Sequence, residues 1–123
     1  MKNKNALVGE ICLALSLTDQ GLTREQAVDG TEKGWQSLIE SVCDVIDLVN
    51  ADRPDDKKVR IIQVKEKCGG LRFYTDREDL DVDGAIRSAE GRSYLTCETC
   101  GAPGTLWTDG WWKTLCDFCH KTR

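Results

Sequence analysis

Four cysteines, Cys97, Cys100, Cys116 and Cys119, stand as two Cys-x-x-Cys pairs with fifteen residues between them. Two such pairs at this spacing suit one tetrahedral ion held by four thiolates, and zinc is the ion that this donor set favours. A four-thiolate site is closed. It leaves no coordination position for a substrate, so the expected Zn2+ is structural and says how the region folds rather than what it acts on. Ligation at peptide-sized sites of this kind contributes on the order of 10–16 kcal/mol of apparent folding free energy.

Cys97-Glu98-Thr99-Cys100-Gly101 has the form of a zinc knuckle, in which the glycine lets backbone amides turn toward sulfur without a clashing Cβ. Between the pairs, residues 105–108 and 111–115 are strand-like and are joined by Asp109-Gly110, a strong two-residue hairpin signal. A hairpin there returns the chain so that Cys116 and Cys119 meet Cys97 and Cys100, which predicts a zinc ribbon or a treble-clef-like zinc finger. Cys116 to His120 also spells Cys-x-x-Cys-His, the attachment motif of c-type haem. Haem attachment belongs outside the cytosol and leaves the upstream pair unexplained, so zinc is preferred. A thioredoxin-like role lacks its βαβ unit. His120 stays open as an alternative to Cys119 for the fourth ligand.

The rest of the chain predicts helices packed on a β-hairpin. Leu7, Ile11, Ala14 and Leu15 share one face, which reads residues 6–17 as a short buried helix, and Thr23 to Gln26 has the form of a capping box. Trp35, Leu38, Ile39, Val42, Ile46 and Val49 form an apolar stripe opposite Glu40, Asp44 and Asp47, which predicts a helix over 32–50 ended by Pro54. Residues 58–67 and 71–76 are β-rich and flank Gly69-Gly70, read as the turn of a hairpin. On that reading Ile62, Val64, Leu71 and Phe73 face the core while Arg72 and Tyr74 point away. Residues 79–94 form a last helix on the stripe of Val82, Ala85, Ile86 and Ala89, with acids at its start where the helix dipole favours them. The fold class is therefore α+β, divided into 1–95, helices on a hairpin, and 96–123, the zinc module.

A chain of 123 residues with seventeen basic and twenty-one acidic side chains has a formal charge of −4, which argues against wholesale binding to nucleic acid or to an anionic membrane. No stretch approaches the eighteen or so apolar residues of a membrane span. Residues 1–17 resemble the first two regions of a secretory signal, yet Glu10 interrupts the apolar run and no small-x-small site follows. The chain reads as cytoplasmic, where its seven cysteines are thiols and metal ligands rather than a disulfide framework. Cys12 and Cys43 fall on predicted helices as core residues. Cys68 lies near Lys65, Lys67 and Arg72, whose charge lowers a thiol pKa, but no histidine pairs with it and no enzyme is expected.

Charge is segregated along the chain. Residues 1–56 hold five bases and eleven acids, whereas 57–75 hold six bases and Glu66 alone. Lys65, Lys67, Arg72 and Tyr74 on this basic hairpin, with Trp111 and Trp112 of the zinc hairpin, are the candidate partner-binding residues. Such a set suits an acidic protein surface or phosphates and stacked bases, and a lysine-guarded strand edge is the plain structural alternative.

Val64-Lys65-Glu66-Lys67-Cys68-Gly69-Gly70-Leu71-Arg72-Phe73-Tyr74 and Cys97-Glu98-Thr99-Cys100-Gly101-Ala102-Pro103-Gly104 resemble segments of a family of small proteins encoded by bacteriophages and prophages, from Gly34-Trp35 onward. Those relatives often carry an aromatic at the place of Cys68, and some end in a ligand set with histidine. The resemblance implies a viral accessory protein in the bacterial cytoplasm and supplies no activity. The expectation is a non-enzymatic, zinc-stabilised protein that binds and inhibits or redirects a host protein, such as a component of a defence system. The alternative is a nucleic-acid-binding regulator that uses both hairpins.

Overall fold

In the computed structural model, which describes residues 21–123, the stripe from Trp35 to Val49 becomes the centre of the protein. The expected helix over 6–17 and Cys12 lie outside the described residues. Helix α1 (Arg24–Val28) opens on the predicted capping box: Gln26 N–H donates to Thr23 Oγ1 and the Gln26 side chain accepts the Thr23 N–H. A 3-10 turn, Lys33–Trp35, leads into α2 (Gln36–Asn50), which buries Leu38, Ile39, Val42, Cys43 and Ile46. The 3-10 turn replaces the first turn of the expected helix because Gly34 is pressed against another segment. Its N–H donates to Glu98 O at 2.9 Å. Helix α2 ends four residues ahead of Pro54, and Asn50 then clamps Val59 by two hydrogen bonds of 2.9 and 2.8 Å.

Strands β1 (Ile61–Lys67) and β2 (Gly70–Thr75) form an antiparallel hairpin, and α3 (Leu80–Ser93) is capped by Asp79, which accepts the Val82 N–H. Two expectations about this hairpin are corrected. The turn is Cys68-Gly69 and not Gly69-Gly70: both residues have positive φ, 53° and 83°, and Gly70 pairs with Lys67 inside the ladder. Two positive φ values match the right-handed strand twist, and Cys68 carries the strain that an L residue meets in that region. A bulge between Ile61 and Gln63 also shifts the register, so Ile61 rather than Ile62 joins Val64 in the core. Leu71 and Phe73 are buried as expected, in one cluster with Trp35, Ile39, Val42, Val82 and Ala89. The outer edge of β2 is closed by α3, whose Ser93 and Glu90 side chains accept the Leu71 and Phe73 N–H groups.

The segment that follows α3 contains β3 (Thr105–Trp107) paired with β4 (Lys113–Leu115), then α4 (Asp117–Thr122). It is joined to the helical part by directed bonds. Trp35 Nε1 donates to Thr96 O at 2.8 Å, Thr114 Oγ1 donates to Gly69 O at 2.7 Å, and Lys113 Nζ reaches both Glu32 and Glu98. No helix among the described residues is long and apolar enough to cross a membrane.

Two glycines test this packing with opposite signs. A Cβ on Gly70 would sit 2.3 Å from the Tyr94 ring, whereas one on Gly84, inside α3, meets nothing within 4 Å. Gly70→Ala is expected to lower the unfolding free energy by about 1–3 kcal/mol. Gly84→Ala is expected to raise it by about 0.5–1 kcal/mol. Chemical denaturation midpoints of the two variants check both values.

Candidate metal centre

The first cysteine pair sits in a tight turn whose bonds are local. Cys97 N–H donates to Ala102 O at 2.7 Å, Gly101 N–H to Cys97 O at 2.9 Å, and Gly101 takes φ 87°, a value open to glycine. The second pair sits at the start of α4, where Cys116 is the N-cap, its sulfur accepts the Cys119 N–H at 3.4 Å and its carbonyl accepts the His120 N–H at 2.9 Å. The β3–β4 hairpin brings the two pairs together. All four sulfurs lie within 4.8 Å of one another, and the Cys100 and Cys116 sulfurs are 3.7 Å apart. A tetrahedron with metal–sulfur bonds of about 2.3 Å has sulfur–sulfur edges of about 3.8 Å, so the cluster has the size of one ion.

The electrostatics of the sulfurs are uneven. Burial pushes the Cys97 thiol up, but the backbone N–H groups of Cys116, Cys100 and Thr99 aimed at it outweigh this and bring it down to about 6. Cys119 is pushed up to about 12 by burial and by the neighbouring sulfurs of Cys116, Cys97 and Cys100. Negative charge on neighbouring sulfurs at this separation is mutually repulsive. A divalent cation removes that repulsion, so the donor set can hold a metal ion in a closed, four-sulfur arrangement.

His120 lies apart from this cluster. Its ring stacks on Trp107, with centroids 3.7 Å apart and planes 11° from parallel, and its Nε2 is 3.0 Å from Asp109 Oδ2. The structure therefore assembles the all-cysteine set and gives His120 a different task. Together with Arg123, which donates to Trp111 O at 2.7 Å, it ties the β3–β4 loop to α4.

That loop corrects another expectation. Asp109-Gly110 does not make a two-residue turn, because β3 ends at Trp107 and β4 begins at Lys113. Trp111 and Trp112 are thus loop residues rather than strand neighbours on opposite faces, and both are exposed, at 78% and 49%. On the other hairpin, Lys65 stands directly across from Arg72, Gln63 across from Tyr74 and Lys67 across from Gly70. Tyr74 is 41% exposed. Arg72 is partly committed, donating to Tyr94 Oη at 3.1 Å and to its own Leu71 carbonyl neighbour at 2.9 Å. Cys43 is buried and its thiol is pushed up to about 11 by burial, which suits a core residue.

Glu98 is the residue that sequence reasoning missed. It lies between two cysteines of the cluster, is 2% exposed, and accepts Thr114 N–H at 3.1 Å and Lys113 Nζ at 3.0 Å. A charged residue inside a Cys-x-x-Cys pair is the one local sign of it, and its partners come from β4. Comparison of the chain with protein-family models, with curated proteins and with solved structures finds no match.

The geometry predicts one divalent ion per chain, retained by His120→Ala and lost in Cys97→Ser and Cys116→Ser; metal analysis of the purified variants checks this. A pH dependence follows from Cys97 in the metal-free protein. Its folded pKa lies below that of an unfolded thiol, so the thiolate adds stability at higher pH, and the contribution is lost as pH falls through about 6. Metal affinity should fall as pH is lowered, beginning well above that range, since protons compete for all four sulfurs and Cys119 holds its proton up to about 12.

Proposed function

We propose that the chain is a non-enzymatic binding protein whose residues 96–123 form a treble-clef-like module around a structural Zn2+. The order knuckle, hairpin, helix with the second cysteine pair at the helix start supports a treble clef over a ribbon. The zinc would be held by Cys97, Cys100, Cys116 and Cys119, would supply folding energy and charge neutralisation, and would leave no coordination position for a substrate. The bound partner is a protein of a bacterial host, in the cytoplasm, which the phage protein inhibits or redirects, as the resemblance to phage-encoded proteins suggests.

One observation carries this reading. Trp111 and Trp112 are exposed although their loop is braced by the His120–Asp109 and Arg123–Trp111 bonds. Large aromatic side chains on a loop whose backbone is already braced bind with less loss of conformational entropy, and such residues dominate protein interfaces. The thiol of Cys68 is exposed, and no hydrogen bond to it is found among the described residues.

Affinity capture from bacterial lysate with metal-loaded protein tests the proposal. One host protein should be retained in stoichiometric amount by the native chain and lost with Trp111→Ala/Trp112→Ala, while metal content stays at one ion per chain. Capture that is unchanged in the double variant, or a preference for nucleic acid that collapses with salt, would contradict it.

A further inference from the structure

We propose that the outer face of the β1–β2 hairpin and the β3–β4 loop form one docking surface for an acidic protein segment that carries an apolar side chain. The proposal rests on the binding reading above and names the chemistry of the partner.

The two parts are fixed to each other at the hairpin tip. Thr114 Oγ1 donates to Gly69 O at 2.7 Å in a buried bond, and a Cβ on Gly69 would fall 2.4 Å from Leu106 Cδ1 and 3.5 Å from the Lys113 Cα. Lys67 is two residues from Gly69 and Trp112 is next to Lys113. With 3.8 Å between successive Cα atoms, no more than about 16 Å separates the Lys67 and Trp112 backbones. About five residues of extended chain, or three turns of helix, span that distance.

The cationic part lacks counter-charge of its own. Lys65 and Arg72 face each other directly across the strands, a like-charge pairing that disfavours the hairpin. Neither they nor Lys67 forms an ion pair among the described residues. Glu66 and Glu90, the acids that pack on this hairpin, are turned instead to the Gly69 and Phe73 N–H groups. Carboxylates from a partner would relieve the repulsion, and Trp111 and Trp112, exposed on the loop whose backbone lies within about 16 Å of Lys67, would take an apolar side chain.

A protein fits this surface better than a nucleic acid does. Arg72 is held by Tyr94 and by backbone, which leaves two free ammonium groups, and nucleic-acid affinity grows from many phosphate contacts. Residues 21–56, with nine acids and three bases, would repel a polyanion that extended beyond the hairpin.

The test uses the full metal-loaded chain and short tryptophan-free labelled peptides, read by fluorescence anisotropy. Acidic peptides with one leucine should bind, with affinity falling as salt rises. Binding should weaken about tenfold or more in Lys65→Glu/Lys67→Glu and, independently, in Trp111→Ala/Trp112→Ala. No binding, equal binding of basic peptides, or preferential binding of a single-stranded oligonucleotide would overturn the proposal. Repeating the lysate capture with Lys65→Glu/Lys67→Glu separates the two claims: host-protein capture that needs the tryptophans but ignores the lysines removes this proposal and leaves the proposed function standing.

Discussion

Four sulfurs confined within 4.8 Å are the constraint on which the remainder of the fold turns. Ionising all four concentrates negative charge in a small volume, and the neighbouring sulfurs push the Cys119 thiol up while backbone N–H groups bring Cys97 down. A cation at the centre would resolve the conflict, and would give the knuckle, the short β3–β4 ladder and the short helix α4 a common anchor. None of these pieces is long enough to be stable alone: a three-residue strand pair and a six-residue helix fall well below the lengths that persist in water.

The anchor acts at a distance through Glu98. Its backbone and side chain tie the knuckle to Gly34, to Thr114 and to Lys113, and Thr114 in turn holds the carbonyl of Gly69 at the tip of the first hairpin. A buried carboxylate without partners is strongly unfavourable, so this network is stable only while β4 and the knuckle keep their relative positions. The α2 start is part of the same arrangement, since a Cβ on Gly34 would fall 2.0 Å from Cys97 O. Order at the sulfurs is thereby transmitted to the helical core and to both hairpins.

Much of this was legible in the residues themselves. The stripe from Trp35 to Val49, the capping box at Thr23, the helix that follows Asp79 and the two cysteine pairs are local patterns, and apart from the 3-10 turn at Lys33–Trp35 each folds where the pattern places it. The failures are where a long-range contact overrides a local preference. Gly69-Gly70 looked like the turn, but Gly70 is needed in the strand beneath the Tyr94 ring, which moves the turn onto Cys68-Gly69. Ile62 looked like a core residue, but a bulge rotates Ile61 inward. Asp109-Gly110 looked like a two-residue hairpin turn, but α4 holds the loop open through His120 and Arg123. Ser93 carried no local pattern and Glu98 only its place inside a Cys-x-x-Cys pair, because their partners lie twenty-two and sixteen residues away.

X-ray absorption at the zinc edge of protein purified from zinc-supplemented cells tests the central claim most directly. The account predicts a first shell of four sulfurs at about 2.3 Å and no lighter atom. A shell containing nitrogen or oxygen, or a folded protein that carries no stoichiometric metal, would contradict it.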